Sequence, residues 1–144
     1  MAVRKLKVKL GEILIQIGSL SLEQLKEILL IQQKFPSKLM GEILIEKGYL
    51  PKEDIDTALV IQQGYPYLSL SHYKIEPKIL RKFPLELMVK LKFVPLDLIG
   101  DVLTIAVSSF SYKSVILKEL KHYKVRIFIS TCKEIRKALE SYYG

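Results

Sequence analysis

Few side chains in this sequence have the residue types and spacing that catalysis requires. His72 and His122 are isolated, and isolated histidines are more typical of a protein surface or core edge than of a catalyst. The single cysteine, Cys132, has no histidine base nearby in the sequence, so we interpret it as a small buried filler. The sequence also lacks the G-x-x-x-x-G-K-[ST] loop that holds nucleotide phosphates. We therefore predict that the chain is not an enzyme, with neither catalytic residues nor a metal site.

Two glycines at equivalent places are better candidates, for binding rather than catalysis. Gly11 and Gly41 each begin a predicted short helix, after segments that carry Lys7, Lys9 and Lys38. A helix start opened by glycine presents backbone N–H groups without a side chain in the way, which suits phosphate oxygens. Two such starts would suit a ligand with two equivalent anionic halves. The alternative, which the residues alone favour, is that the glycines only let helices pack closely.

Both glycines belong to an internal repeat. A shift of 30 residues aligns residues 11–33 with residues 41–63, and 12 of the 23 aligned positions are identical. Self-similarity at this level indicates that the first half of the chain is a duplicated unit.

Each copy of the repeat predicts a short helix, a glycine stop and a longer helix. Gly18 and Gly48 stand where a helix C-terminus favours a left-handed residue. Ser21 and Gln24 have the spacing of a capping box that begins the first long helix, and Pro51 suits the first turn of the second. Apolar residues then follow helical spacing and predict the buried side: Leu22, Leu25, Ile28, Leu29, Ile55 and Leu59.

The second half of the chain changes to a mixed pattern. Residues 93–98 and 102–107 predict two strands joined by a tight hairpin at Gly100, with Pro95 placing the first strand at a sheet edge. A third strand is predicted over residues 125–129, and Thr131 and Glu134 have capping-box spacing for a closing helix. We therefore predict an α+β fold: a helical subdomain of two repeated helix pairs over residues 1–64, and a small mixed α/β subdomain with about three strands over residues 65–144.

Composition limits the setting and the partners. The formal net charge is +8, of which residues 1–64 carry +1 and residues 65–144 carry +7, so anionic partners are favoured. No apolar run approaches the ~18 residues of a membrane helix, and one cysteine excludes a disulfide framework. We predict a cytoplasmic protein. The basic residues of the closing half are expected to face an acidic protein or anionic lipid, with simple solvation as the alternative: Lys113, Lys118, Lys121, Arg126, Lys133, Arg136 and Lys137.

The repeat resembles the paired motif of the N-terminal domain of type II secretion and type IV pilus assembly ATPases, known as the MshEN or GspE N-terminal domain family. In that motif R-L-G opens a unit of about two dozen residues, a second glycine follows, and a glutamine closes the unit. The first copy here reads Lys9-Leu10-Gly11, Leu14, Gly18, Leu25 and Gln32. The second reads Leu39-Met40-Gly41, Leu44, Gly48, Ile55 and Gln62.

This resemblance implies a non-catalytic domain at the front of a hexameric ATPase. Such a domain docks the motor to the inner-membrane platform, and in some members it binds cyclic di-GMP across the two repeats. The implied partners are a cognate secretion or pilus ATPase or a platform protein, with peripheral membrane association through that partner at the inner face of the inner membrane. No cofactor is implied, and the candidate ligand is cyclic di-GMP. The implied ligand-binding residues are Lys7, Lys9, Leu10, Gly11, Leu14, Gln32, Leu39, Met40, Gly41, Leu44 and Gln62.

In this picture each half of the ligand rests on one copy of the repeat. The motif's leucine positions, Leu10, Leu14, Met40 and Leu44 here, meet the base faces, and the glutamines close the two half-sites. The motif arginine is Lys9 in the first copy and Leu39 in the second. Lysine lacks the planar fork of arginine, and a charged hydrogen bond contributes roughly 1.5–3 kcal/mol. We therefore expect weakened binding, most of all in the second half-site.

The alternative function is a basic nucleic-acid-binding module, which the net charge motivates. The basic residues are spread among apolar ones and no RNA-reading or DNA-reading motif is present, so nucleic acid is the less favoured partner.

Overall fold

Residues 9–64 contain helices, and residues 65–143 contain both helices and a small sheet. The structure is a computed structural model that describes residues 9–143. The helical unit ends at Gly64, and the mixed unit begins at Tyr65. In chain order the elements are α1 (Leu10–Gln16), α2 (Leu22–Lys34), α3 (Met40–Glu46), α4 (Lys52–Gln62), α5 (Pro77–Leu80), α6 (Leu85–Leu91), β1 (Phe93–Ile99), β2 (Val102–Val107), α7 (Lys113–Glu119), β3 (Lys124–Ile129) and α8 (Cys132–Tyr143).

Local signals set the helix ends in the helical unit. Gly18 and Gly48 follow α1 and α3 with φ angles of 79° and 71°, a left-handed conformation that glycine adopts without strain. Ser21 Oγ accepts from the Gln24 N–H at 3.1 Å, and Gln24 Oε1 accepts from the Ser21 N–H at 3.0 Å. The predicted capping box is therefore present at the start of α2.

The two repeats interlock rather than pack side by side. α1 packs mainly against α4, and α3 packs mainly against α2, so each short helix meets the long helix of the other copy. The hydroxyl of Tyr49 donates to Glu27 on α2, and Lys47 Nζ lies 3.8 Å from the same carboxylate. The core of the unit comes from both copies: Ile13, Leu14, Ile17, Leu20, Ile28, Ile43, Leu44, Leu50, Ile55, Ala58 and Val60.

Three leucines with helical spacing are not buried as expected. Leu22 is 57% exposed, Leu29 is 43% exposed and Leu59 is 39% exposed. The interlocked helices cover only part of the apolar stripe, so periodicity overestimated the width of the buried face.

The mixed unit contains a three-stranded sheet in the order β1-β2-β3. β1 and β2 form an antiparallel hairpin whose turn holds Gly100 at φ 61°, and the register shifts between Pro95 and Asp97. β2 and β3 are parallel, and the crossover connection that parallel strands need contains α7. β1 lies at one edge, where Pro95 predicted it, and β3 lies at the other. α8 packs against β1, β2 and α6.

Residues 66–70 are hydrogen-bonded to β3 and α8. Leu68 N–H donates to Ile129 O and Ile129 N–H donates to Pro66 O, both at 2.8 Å. Glu134 accepts from Tyr67 Oη at 2.8 Å, from Leu70 N–H at 2.7 Å and from Thr131 N–H at 3.1 Å. One carboxylate therefore caps α8 and holds two residues of the preceding segment.

The predicted fold class is confirmed: helices form the N-terminal part, and the sheet lies in the C-terminal part with three strands among the described residues. Between residues 9 and 143, none of the helices has the length and apolar character that spanning a bilayer requires.

Candidate ligand-binding site

The two short helices begin in the same way. Lys9 precedes α1 and Leu39 precedes α3, both in extended backbone, and neither side chain caps its helix by a hydrogen bond. Neither cap side chain accepts from the first-turn N–H groups, and Glu12 N–H donates to Lys9 O at 3.1 Å. A helix start without a side-chain cap suits an external acceptor such as a phosphate oxygen. The two starts differ in charge, because Lys9 is an exposed cation whereas Leu39 is an apolar side chain that is 67% exposed.

The two glycines differ in what surrounds them. Gly11 is buried, and a β-carbon built there would lie 2.5 Å from Leu25 Cδ1 on α2. Gly41 is only half-buried, and its β-carbon would lie 3.5 Å from Ile55, an ordinary contact. Close helix packing therefore accounts for Gly11, as the alternative interpretation holds, whereas packing does not require a glycine at position 41.

The apolar candidates divide into two groups by depth. Leu10 and Met40 are half-buried at the helix starts. Leu14 and Leu44 have 0% exposure, so their side chains contact core residues and not a ligand at the surface. The expectation that these two leucines meet the bases is not consistent with this arrangement. Their physical role is to fill the core between the interlocked helices.

The glutamines join the end of one repeat to the start of the other. Gln32 Nε2 donates to Lys38 O at 3.4 Å, which brings the end of α2 to the start of α3 beside Leu39. Gln62 is the last residue of α4, the helix that packs against α1. Gln32 at the end of the first copy therefore contacts the connection that leads into the second copy.

Charge at the second helix start is largely compensated. Lys38 Nζ lies 3.0 Å from Glu46 Oε2 and 5.8 Å from the centre of the Phe35 ring. Glu46 therefore offsets part of the charge that Lys38 brings to this helix start. Glu12 and Glu42 are exposed in the first turns of α1 and α3, where they stabilise the helix start but repel an anion.

Sequence reasoning missed two residues at this site. Phe35 is 53% exposed beside Lys38, and Glu46 pairs with Lys38 from the far end of α3. An aromatic residue followed by proline in a short polar connection was the available signal for Phe35. No sequence pattern predicted the pairing of Glu46 with Lys38, because this contact depends on how α3 is oriented relative to residue 38.

The remaining candidate, Lys7, lies outside the described residues. Over residues 9–143 there is no group of three histidine, cysteine or acidic side chains that could hold a metal ion.

Comparison with known proteins gives the same fold. The sequence model of the MshEN domain matches residues 63–144. The structure of MshE with cdg is 24% identical, covers 94% of this chain and 99% of that chain, and superposes with a TM-score of 0.59. The structure of the N-terminal domain of XpsE is 14% identical, covers 97% of this chain and 98% of that chain, and gives a TM-score of 0.50. At these identities the likeness establishes the fold. No curated protein sequence matches the chain.

Proposed function

Because the chain belongs to the MshEN domain family, we propose that it is a non-catalytic accessory and docking domain of a type II secretion or type IV pilus assembly ATPase, and that its helical unit binds cyclic di-GMP. Such a domain acts in the cytoplasm, at the inner face of the inner membrane.

The observation that carries the ligand proposal is the duplicated, uncapped helix start. α1 and α3 begin with similar backbone geometry, and Gln32 at the end of α2 donates to Lys38 O just before α3. A ligand with two equivalent halves and two phosphates matches a site with two equivalent halves. The fold shared with the MshE structure, which was determined with cdg, supports cyclic di-GMP as that ligand.

The residues that remain as ligand contacts are those at the surface. Lys9 offsets phosphate charge, and Leu10 and Met40 offer apolar surface to the bases. Gly41 permits close approach of the backbone. The surrounding residues Gln32, Leu39 and Gln62 complete the proposed site, and Lys7 and Gly11 belong to it through the resemblance alone.

The second half-site is the weaker one, because Leu39 has no charge and Lys38 is paired with Glu46. A charged hydrogen bond contributes roughly 1.5–3 kcal/mol, so restoring an arginine should tighten binding by about tenfold. We expect Leu39→Arg to show this gain in calorimetric titration with cyclic di-GMP.

A matched control separates this contact from a general effect of charge. Leu22→Arg adds the same charge at another exposed leucine, 57% accessible at the start of α2. We expect that variant to keep the native affinity. Equal gains in both variants, or no heat in any variant at high micromolar ligand, would count against the ligand proposal.

A further inference from the structure

The outer edge of β3 carries backbone groups that the fold does not use. Lys124 N–H donates to Asp101 O and Ser130 N–H donates to Val107 O, so these residues point toward β2. Ile129 bonds residues 66 and 68 on the opposite side. Backbone direction alternates along a strand, so Val125 and Ile127 point away from β2 as Ile129 does.

The segment that covers Ile129 does not continue along the edge. Tyr67 pairs with Ile129 in parallel, and an extended chain would next place residue 65 beside Ile127. Within the mixed unit, which begins at Tyr65, the hydrogen bonds to this edge end with those of residues 66 and 68 to Ile129. Among residues 65–143, no group hydrogen-bonds the outward N–H or C=O of Val125 or Ile127. The edge therefore offers two donors and two acceptors to another strand.

The charged side chains along this edge disfavour strand pairing with a second copy of the chain. Antiparallel pairing of two β3 strands through Val125 and Ile127 would set Arg126 directly opposite its own copy. Like charges in that position destabilise a strand pair. Lys124 adds to the positive charge, because its contact with Asp101 is long, 3.9 Å, and highly exposed.

An acidic partner matches the same edge. Lys124 and Arg126 are exposed on one side of β3, and the half-buried Val125 and Ile127 alternate with them. We propose that this open edge docks an extended segment of a partner protein in which acidic and apolar residues alternate. The segment adds as a fourth strand, with its carboxylates beside Lys124 and Arg126. The inference rests on the docking role proposed above and is independent of the cyclic di-GMP site.

A designed peptide tests the edge directly. The probe is a fluorescent, acetylated peptide of sequence TEVEIET, with TKVKIKT as its charge-reversed counterpart, and binding is measured by anisotropy. We expect saturable binding of the acidic peptide. Its affinity should fall at least about tenfold in Arg126→Glu, and the same variant should gain affinity for the basic peptide. Val125→Pro should abolish binding, because proline removes an outward N–H without touching the bonds to β2.

The control is Arg81→Glu, which makes the same charge change next to α5, the helix that packs against β1 at the opposite edge. Equal weakening in Arg81→Glu and Arg126→Glu would show unspecific attraction and overturn the proposal, as would the absence of saturation at millimolar peptide. A native dimer that Val125→Pro dissolves would overturn it in favour of a second copy. Titration of Arg126→Glu with cyclic di-GMP should give the native affinity, which keeps failure of one proposal distinct from failure of the other.

Discussion

At the scale of single residues, the equivalent glycines of the two repeat copies differ in their surroundings. Gly11 lies under Leu25, so the absence of a side chain serves helix packing. Gly41 has room for a methyl group and lies at an exposed helix start. Because packing does not require a glycine at position 41, replacing Gly41 tests whether this residue serves the ligand rather than the fold.

We predict that Gly41→Ala stabilises the fold and weakens ligand binding. Alanine is favoured over glycine by about 0.5–1 kcal/mol inside a helix, which is the upper bound for Gly41 as the second residue of α3, and the new methyl group makes only ordinary contact with Ile55. Urea denaturation should show that gain, and calorimetry with cyclic di-GMP should show lower affinity. Gly11→Ala serves as the comparison, because Leu25 must move and the gain should be smaller. Unchanged affinity in Gly41→Ala would mean that the glycine does not face the ligand.

A second residue-scale prediction concerns Tyr67. Burial and the hydrogen bond to Glu134 raise the pKa of Tyr67 to about 12, above the ordinary value of 10.0. The unfolded chain therefore ionises first as the pH rises, so the stability that Tyr67 contributes is complete below pH 10 and is lost between pH 10 and about 12.

We expect native protein to be more stable than Tyr67→Phe below pH 10 by roughly 1 kcal/mol, and this difference should shrink above pH 10. Urea denaturation of both proteins across that range measures it. Tyr112→Phe, at an exposed tyrosine, controls for the loss of a hydroxyl. A difference that stays constant with pH would contradict the assignment.

At the scale of elements, sequence signals that act within a few residues were sufficient to predict helix starts, a hairpin and an edge strand. The capping boxes at Ser21 and Thr131, the hairpin at Gly100 and the edge position of Pro95 are all present as predicted. Each of these features follows from residue types at a short spacing and from standard backbone geometry, so one sequence is enough to predict it.

Contacts between elements could not be predicted in the same way. α1 and α3 have seven residues each, about two turns, so periodicity cannot separate a covered face from an open one. The burial of Leu14 and Leu44 and the bond from Gln32 to Lys38 depend on which helices lie together. The resemblance supplied the candidate residues, and the packing determined which of them reach the surface.

At the scale of the whole molecule, the net charge of +8 favours two classes of anionic partner, nucleic acid and a cyclic dinucleotide. Salt dependence separates the two classes. Nucleic-acid binding that rests on six to ten phosphate contacts loses roughly 10³–10⁵ in affinity between about 50 and 200 mM salt. A ligand with two phosphates, held by backbone and apolar contacts, should lose little.

We therefore predict that affinity for cyclic di-GMP changes by less than about tenfold over that salt range. A labelled DNA duplex should show only weak binding that salt abolishes. Calorimetry and fluorescence anisotropy measure the two cases. Duplex binding that persists with saturation at the higher salt concentration would favour the nucleic-acid alternative.

A single copy of the repeat could not fold as the helical unit does. Because α1 packs mainly against α4 and α3 against α2, each half would expose the apolar surface that the other half covers. A lone copy would have to bury that apolar surface against a second chain, and its folding would then depend on protein concentration. Tandem duplication links the partners at an effective concentration on the order of millimolar. Within one chain the two copies can also differ in sequence, as Lys9 and Leu39 do.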